Sequence, residues 1–133
     1  MSSRWGLVPL RVVVGLVFLM HGYAKLFTMG LAGTTDMMQH MGIPMPQASA
    51  VVVTTVELLG GAALILGLFT RWAAAALAID MAVAVVMVKL PGGFFAPRGV
   101  EFELTLCAAA LTLALVGAGG VSLDAARRRR VAP

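Results

Sequence analysis

Residues 48–69 read ASAVVVTTVELLGGAALILGLF. The stretch holds one ionisable side chain, Glu57, and no proline. A helix needs about 20 mostly apolar residues to cross the hydrocarbon core of a bilayer. Lipid leaves only helices or closed barrels as spanning structures, and this run lacks the period-two alternation of a barrel strand. It therefore predicts a spanning helix. Outward from it, the short turn Phe69-Thr70-Arg71 leads into a second apolar run over residues 72–90, so these two helices are antiparallel neighbours. Residues 7–27 and 100–119 supply two more runs, and Pro91-Gly92-Gly93 with Pro97 breaks the chain before the last. The expectation is all-α: an integral membrane four-helix bundle forming one domain over residues 1–133.

Composition agrees. Hydrophobic residues make up 60% of the chain and charged residues 12%, with a mean hydropathy of +0.96. Soluble domains average about half apolar and a quarter charged. The net charge of +4 does not point to nucleic acid, because four of the ten basic residues are the run Arg127-Arg128-Arg129-Arg130 directly after an apolar segment. Such juxtamembrane runs set topology or touch anionic lipid. Cys107 is the sole cysteine, so no dithiol cycle operates within one chain, and no Cys/His spacing suits a metal. The first run resembles a signal peptide after Arg4, but Arg11 interrupts it and no A-x-A site follows, so it is read as a retained helix.

Orientation follows the distribution of Lys and Arg. Arg4, Arg71 and the terminal arginines fall on one side, and Lys25, Lys89 and Arg98 on the other. The denser set marks the cytoplasmic side, which places both termini inside. In the long connection between the first two spans, Thr35 or Asp36 is positioned to cap a short interfacial helix carrying Met37, Met38 and Met41, stopped by Pro44 and Pro46. Its methionines suit gap-filling apolar packing better than metal binding.

Ionisable residues within a bilayer cost about 2.5–3.5 kcal/mol each on insertion scales and usually face the bundle interior. On the first helix Arg11, Gly15, Phe18, Gly22 and Lys25 share one stripe, with His21 one turn before Lys25. Glu57 shares a face with Thr54, Gly60 and Gly61. In the fourth helix Glu101 aligns with Thr105, Ala108 and Thr112, while Glu103 points nearly opposite; the Thr/Ala face favours Glu101 as the inward carboxylate. At a 1.5 Å rise, His21 sits roughly 9 Å and Glu57 roughly 14 Å below the outer boundary, and their side chains lean toward each other. The predicted ligand- or proton-handling cluster is His21, Lys25, Glu57 and Glu101, above a structural ion pair of Arg11 with Asp80. Lys89 and Glu103 are expected to snorkel at helix ends. The alternative to a functional pocket is a polar clasp that only holds the helices in register.

At these residues the sequence resembles the DoxX family of small four-helix membrane proteins. The resemblance rests on Arg11 with Gly15-Leu16, His21-Gly22-x-x-Lys25-Leu26-Phe27, Glu57-Leu58-Leu59-Gly60-Gly61 and Leu66-Gly67-Leu68-Phe69-Thr70-Arg71-Trp72-Ala73. It continues through Leu90-Pro91-Gly92-Gly93-Phe94-Phe95, Gly99-Val100-Glu101-Phe102 and Ser122-Leu123-Asp124. Lys89 stands where many relatives have histidine, and Gly119-Gly120-Val121 replaces a Gly-Arg-aromatic run. The resemblance implies a bacterial-type plasma membrane and association with oxidoreductase assemblies, including a thiosulfate:quinone oxidoreductase subunit and a complex for thiol and oxidative-stress defence. The first expectation is thus a non-catalytic or quinone-binding subunit with a protein partner, since no haem, flavin or iron–sulfur signature completes an electron path. A scaffold that recruits soluble enzymes and a small-solute or proton pathway are the competing readings, and a homo-oligomer is compatible with each.

Overall fold

The computed structural model describes residues 5–131, so Arg4, counted above toward orientation, lies outside the described residues. The described residues are all-helical in class: α1 Leu7–Tyr23, α2 Gly30–His40, α3 Pro46–Leu66, α4 Thr70–Ala84, α5 Glu101–Val116 and α6 Leu123–Val131. Two of these helices end in a π-helical turn, α1 through Ala24–Thr28 and α4 through Val85–Lys89. With these extensions, three segments are long and apolar enough to cross a membrane: Leu7–Thr28, Pro46–Leu66 and Thr70–Gly92. The 16 residues of α5 make a shorter helix.

The buried face of α1 is Arg11, Val14, Gly15, Phe18 and Gly22, the small-residue stripe legible in the sequence. It allows α1 and α3 to pack backbone to backbone. A Cβ on Gly15 would stand 2.8 Å from the Gly61 carbonyl oxygen, and one on Gly22 would stand 2.7 Å from the Leu58 nitrogen. Small residues at such crossings replace the hydrophobic driving force that lipid cannot supply. From α3 the packing continues to α4 and then α5, with Phe18, Leu64, Leu77 and Leu113 fully buried at the centre. Leu59, Ile79, Val86 and Leu115 point outward at 66–69% exposure, a surface suited to the hydrocarbon of a bilayer and not to water.

At one end of the bundle the start of α1, the α3–α4 turn and the α5–α6 segment meet. The Arg11 guanidinium is 3% exposed and donates to the carbonyls of Ala118 at 2.7 Å and Val121 at 2.9 Å. It does not pair with Asp80. Counted from the helix ends that meet here, Arg11 is four residues along α1 and Asp80 ten along α4, a difference in depth of about 9 Å. The irregular segment after Val116 leaves carbonyls without helical partners, and the guanidinium takes them. Asp124 tightens the same end: its carboxylate accepts the N–H groups of Phe69 at 2.8 Å and Thr70 at 2.9 Å, capping α4 from a distant segment.

The connection after α1 also differs from the expected cap. α2 begins at Gly30, directly after the π turn, so Thr35 and Asp36 lie inside the helix. Thr35 Oγ1 donates to the Leu31 carbonyl at 2.7 Å, and the single hydroxyl hydrogen of buried Thr34 is shared between Lys25 O and Gly30 O, each 2.9 Å from Oγ1. The Thr34 bonds tie the methionine-bearing helix to the end of α1.

Candidate functional site

Each of the two lysines near the end opposite the termini sits in a π-helical turn. A π turn takes up an extra residue and rotates the side chains beyond it, and such turns recur at functional sites. Lys25 Nζ lies 2.6 Å from Glu57 Oε2, with the carboxylate side chain 4% exposed. Lys89 Nζ lies 3.2 Å from Glu103 Oε1 and also donates to the Pro97 carbonyl at 2.7 Å. Lys89 and Glu103 are therefore joined to each other across α4 and α5, rather than snorkelling separately.

Both pairs face a cavity of about 500 Å³. Met37 and Met38 of α2 and Met41 just after it line the cavity, with Phe18, Met81 and Phe102 among the other apolar residues. His21, Lys25, Glu57, Asp80, Lys89 and Glu103 provide its ionisable groups, and Ser49 adds a hydroxyl that donates to the Pro44 carbonyl. The volume falls within the usual range for a small-molecule site, and the composition, mostly apolar with a few polar groups, has the same character.

The structure divides the sequence-predicted residues. Lys25 and Glu57 come together. His21 lines the cavity, but its Nδ1 lies 2.8 Å from the Val17 carbonyl, and its ring packs 5.8 Å from that of Phe102. Because a carbonyl only accepts, Nδ1 carries hydrogen and Nε2 is the nitrogen left for a ligand. Asp80 belongs here rather than with Arg11: it lies beside Glu57 and Lys25, and its Oδ2 is buried without a hydrogen-bond partner.

Glu101 is outside the cluster. Its Oε1 accepts from the Ala96 N–H at 2.9 Å in the loop before α5. Thr105, Ala108 and Thr112, the face that favoured it, are exposed. Their hydroxyls are satisfied within the helix, Thr105 Oγ1 on Glu101 O at 2.6 Å and Thr112 Oγ1 on Ala108 O at 2.9 Å, so this face needs no polar interior. The buried face of α5 carries Leu106, Ala110 and Leu113, and Glu103 falls on it three residues before Leu106. That i, i+3, i+7 spacing of apolar residues was the signal that could have identified Glu103. Among the described residues, no group of three or more His, Cys, Asp or Glu side chains is arranged to hold a metal ion.

Comparison with known proteins places the chain in a group. The family model DoxX matches residues 6–90. The protein named "Putative oxidoreductase CatD" of Bacillus subtilis is 33% identical over 123 residues, covering 92% of this chain and 87% of that protein. The inner membrane protein YphA of Escherichia coli is 31% identical, covering 86% and 84% respectively. An uncharacterized membrane protein of Mycobacterium tuberculosis is 34% identical, covering 88% and 78%. No solved structure matches the chain significantly. With its apolar helices, its lipid-facing side chains and a match over more than half its length, the chain is a membrane protein of the DoxX family.

Proposed function

We propose that the chain is a membrane subunit of an oxidoreductase assembly, and that its cavity holds a quinone-like or other lipophilic molecule. The observation that carries this reading is the cavity itself: about 500 Å³, walled by methionines and aromatics, with ion pairs and His21 at its polar surface. A purely structural clasp gains nothing from empty volume beside its charges, because buried ion pairs depend on close packing and complete hydrogen bonding. A lipophile fills the apolar part and brings its polar head to His21, Lys25 and Glu57, which supply or take up protons. The relative in Bacillus subtilis named as an oxidoreductase supports the same class, and redox partners would be separate proteins.

In this reading α5 crosses the membrane as a fourth span, at about 24 Å of helix plus the irregular residues after it. Both termini then lie on the cytoplasmic side of the plasma membrane, where Arg71 and Arg127 to Arg130 satisfy the positive-inside preference.

The test is mass spectrometry of lipophilic molecules that co-purify with the protein in native-lipid discs, run beside a Glu57→Gln/His21→Ala variant whose melting is followed in the same discs. A defined molecule enriched in the wild type and lost from a folded variant is the expected result. Bulk lipid alone in both samples would reject the reading in favour of a scaffold or a small-solute or proton pathway.

A further inference from the structure

The state of the hydrogen bonds in the cavity constrains the head group it accepts. Each lysine charge is already matched, Lys25 by Glu57 at 2.6 Å and Lys89 by Glu103 at 3.2 Å. The ammonium groups keep spare N–H hydrogens, two on Lys25 and one on Lys89, but the side-chain atoms of the cavity residues left with no partner at all are acceptors. Asp80 Oδ2 and Glu103 Oε2 are buried with no hydrogen-bond partner, and both residues line the cavity. His21 spends its Nδ1 hydrogen on Val17 O, leaving Nε2 as a third acceptor when the ring is neutral. Counted as formal charges, two lysines face three carboxylates, Glu57, Asp80 and Glu103. An unpaired acceptor buried in such a place carries its full desolvation cost until a donor arrives.

We propose that the cavity takes a lipophilic molecule whose head group donates hydrogen bonds, a hydroxyl or an ammonium, to Asp80 and Glu103. This rests on the reading of the cavity as a lipophile site and narrows it. The hydroxyl-bearing form of a quinone-like pair fits the free acceptors, whereas a head presenting only carbonyls would accept from the spare lysine hydrogens and leave Asp80 Oδ2 and Glu103 Oε2 without a donor. The apolar tail lies along Met37, Met38 and Met41, where flexible thioethers adapt to its shape. Since Asp80 lies beside Glu57, a proton held between these two carboxyls is the rival way of meeting part of the same demand, and it predicts no preference for a donor head.

The experiment uses the full chain in lipid nanodiscs, with empty discs as the partition control. The probes are 4-decylphenol, its methyl ether 4-decylanisole, and decylamine. Binding is measured for wild type, Asp80→Asn and Glu103→Gln, each first shown by melting to be folded. The phenol or the amine is expected to bind at least about tenfold more tightly than the ether, the worth of one hydrogen bond to a charged partner. Each substitution should erase most of that preference while leaving the ether's affinity unchanged. Preference for the phenol over the amine identifies a hydroxyl ligand, and the reverse identifies an ammonium. Equal binding of phenol, amine and ether, or a donor preference untouched by both substitutions, overturns the assignment to Asp80 and Glu103 but leaves the lipophile site standing. Retention of no probe above empty discs overturns both.

Discussion

Lys25, in the π turn that ends α1, places its ammonium 2.6 Å from the carboxylate of Glu57 in the middle of α3. Glu57 is 3% exposed and lies nine residues from the nearer end of α3. The pair joins α1 to α3 beside the cavity, and Asp80 of α4 completes the group. Removing one partner from such a pair costs more than removing both, because the survivor keeps its desolvation penalty without compensation.

Glu57→Gln is therefore expected to destabilise the protein by about 3 kcal/mol, the low end of the usual range because Asp80 takes over part of the Lys25 charge. Lys25→Met combined with Glu57→Gln should recover most of that loss. Denaturation in mixed micelles measures both. A double variant as unstable as the single one would mean that the pair does not act as a unit.

Arg11 and Asp80 serve different levels of the bundle, one near the end where the termini lie and the other at its middle beside Glu57. Arg11→Met should cost roughly 2–4 kcal/mol through loss of its two charge-assisted bonds to Ala118 and Val121. A double-mutant cycle with Asp80→Asn should give a coupling below about 0.5 kcal/mol, as for independent sites. A coupling of several times that size would reinstate a direct pair.

Backbone contact between α1 and α3 predicts a sharp asymmetry among apolar substitutions. Gly61→Val would push a side chain into the Leu19 nitrogen, 2.5 Å from the position of a Cβ, and should cost at least about 3 kcal/mol or prevent folding. Leu59→Ala, two residues away on the lipid side, should change the melting temperature little. Comparable effects at the two positions would contradict the close approach.

Asp124 predicts a dependence on acid. Partial burial works against its charge, yet the N–H groups of Thr70 and Phe69 and the positive charge of Arg128 outweigh that and hold its carboxyl below the ordinary value of 3.8. A group with a depressed folded value contributes its stability above the unfolded value and loses it as pH falls through the folded one. Asp124→Asn keeps one accepting oxygen but loses the other and the charge, so it should cost about 1 kcal/mol near neutrality, and the gap from wild type should close below about pH 4. Melting curves across pH decide this; a gap that persisted unchanged into acid would remove the carboxylate from the explanation.

Local chemistry alone determined a good part of this protein. Hydropathy over some twenty residues is a property of a segment by itself, so the long apolar helices around Glu57 and Asp80 were legible, as was the antiparallel turn at Phe69-Thr70-Arg71. The stripe of Arg11, Gly15, Phe18 and Gly22 was equally plain, since a 3.6-residue period lines up residues that neighbours must approach. That Lys25 and Glu57 would fall in one cluster followed from depth and from the lean of helical side chains, although the pairing of those two in particular did not.

Tertiary structure decided the rest. One helix cannot show which face its neighbours will cover: Glu101 and Glu103 point nearly opposite ways, and the threonines beside Glu101 bond to their own backbone instead of marking the interior. A guanidinium can be satisfied by loose carbonyls as well as by a carboxylate, so only the path of the chain after Val116 sent Arg11 to Ala118 and Val121 and left Asp80 to Glu57. The π turns under Lys25 and Lys89 likewise depend on packing, because each admits an extra residue to aim a side chain at a partner on another helix. Segments announce themselves through their own solubility in lipid, whereas a cavity exists only between segments.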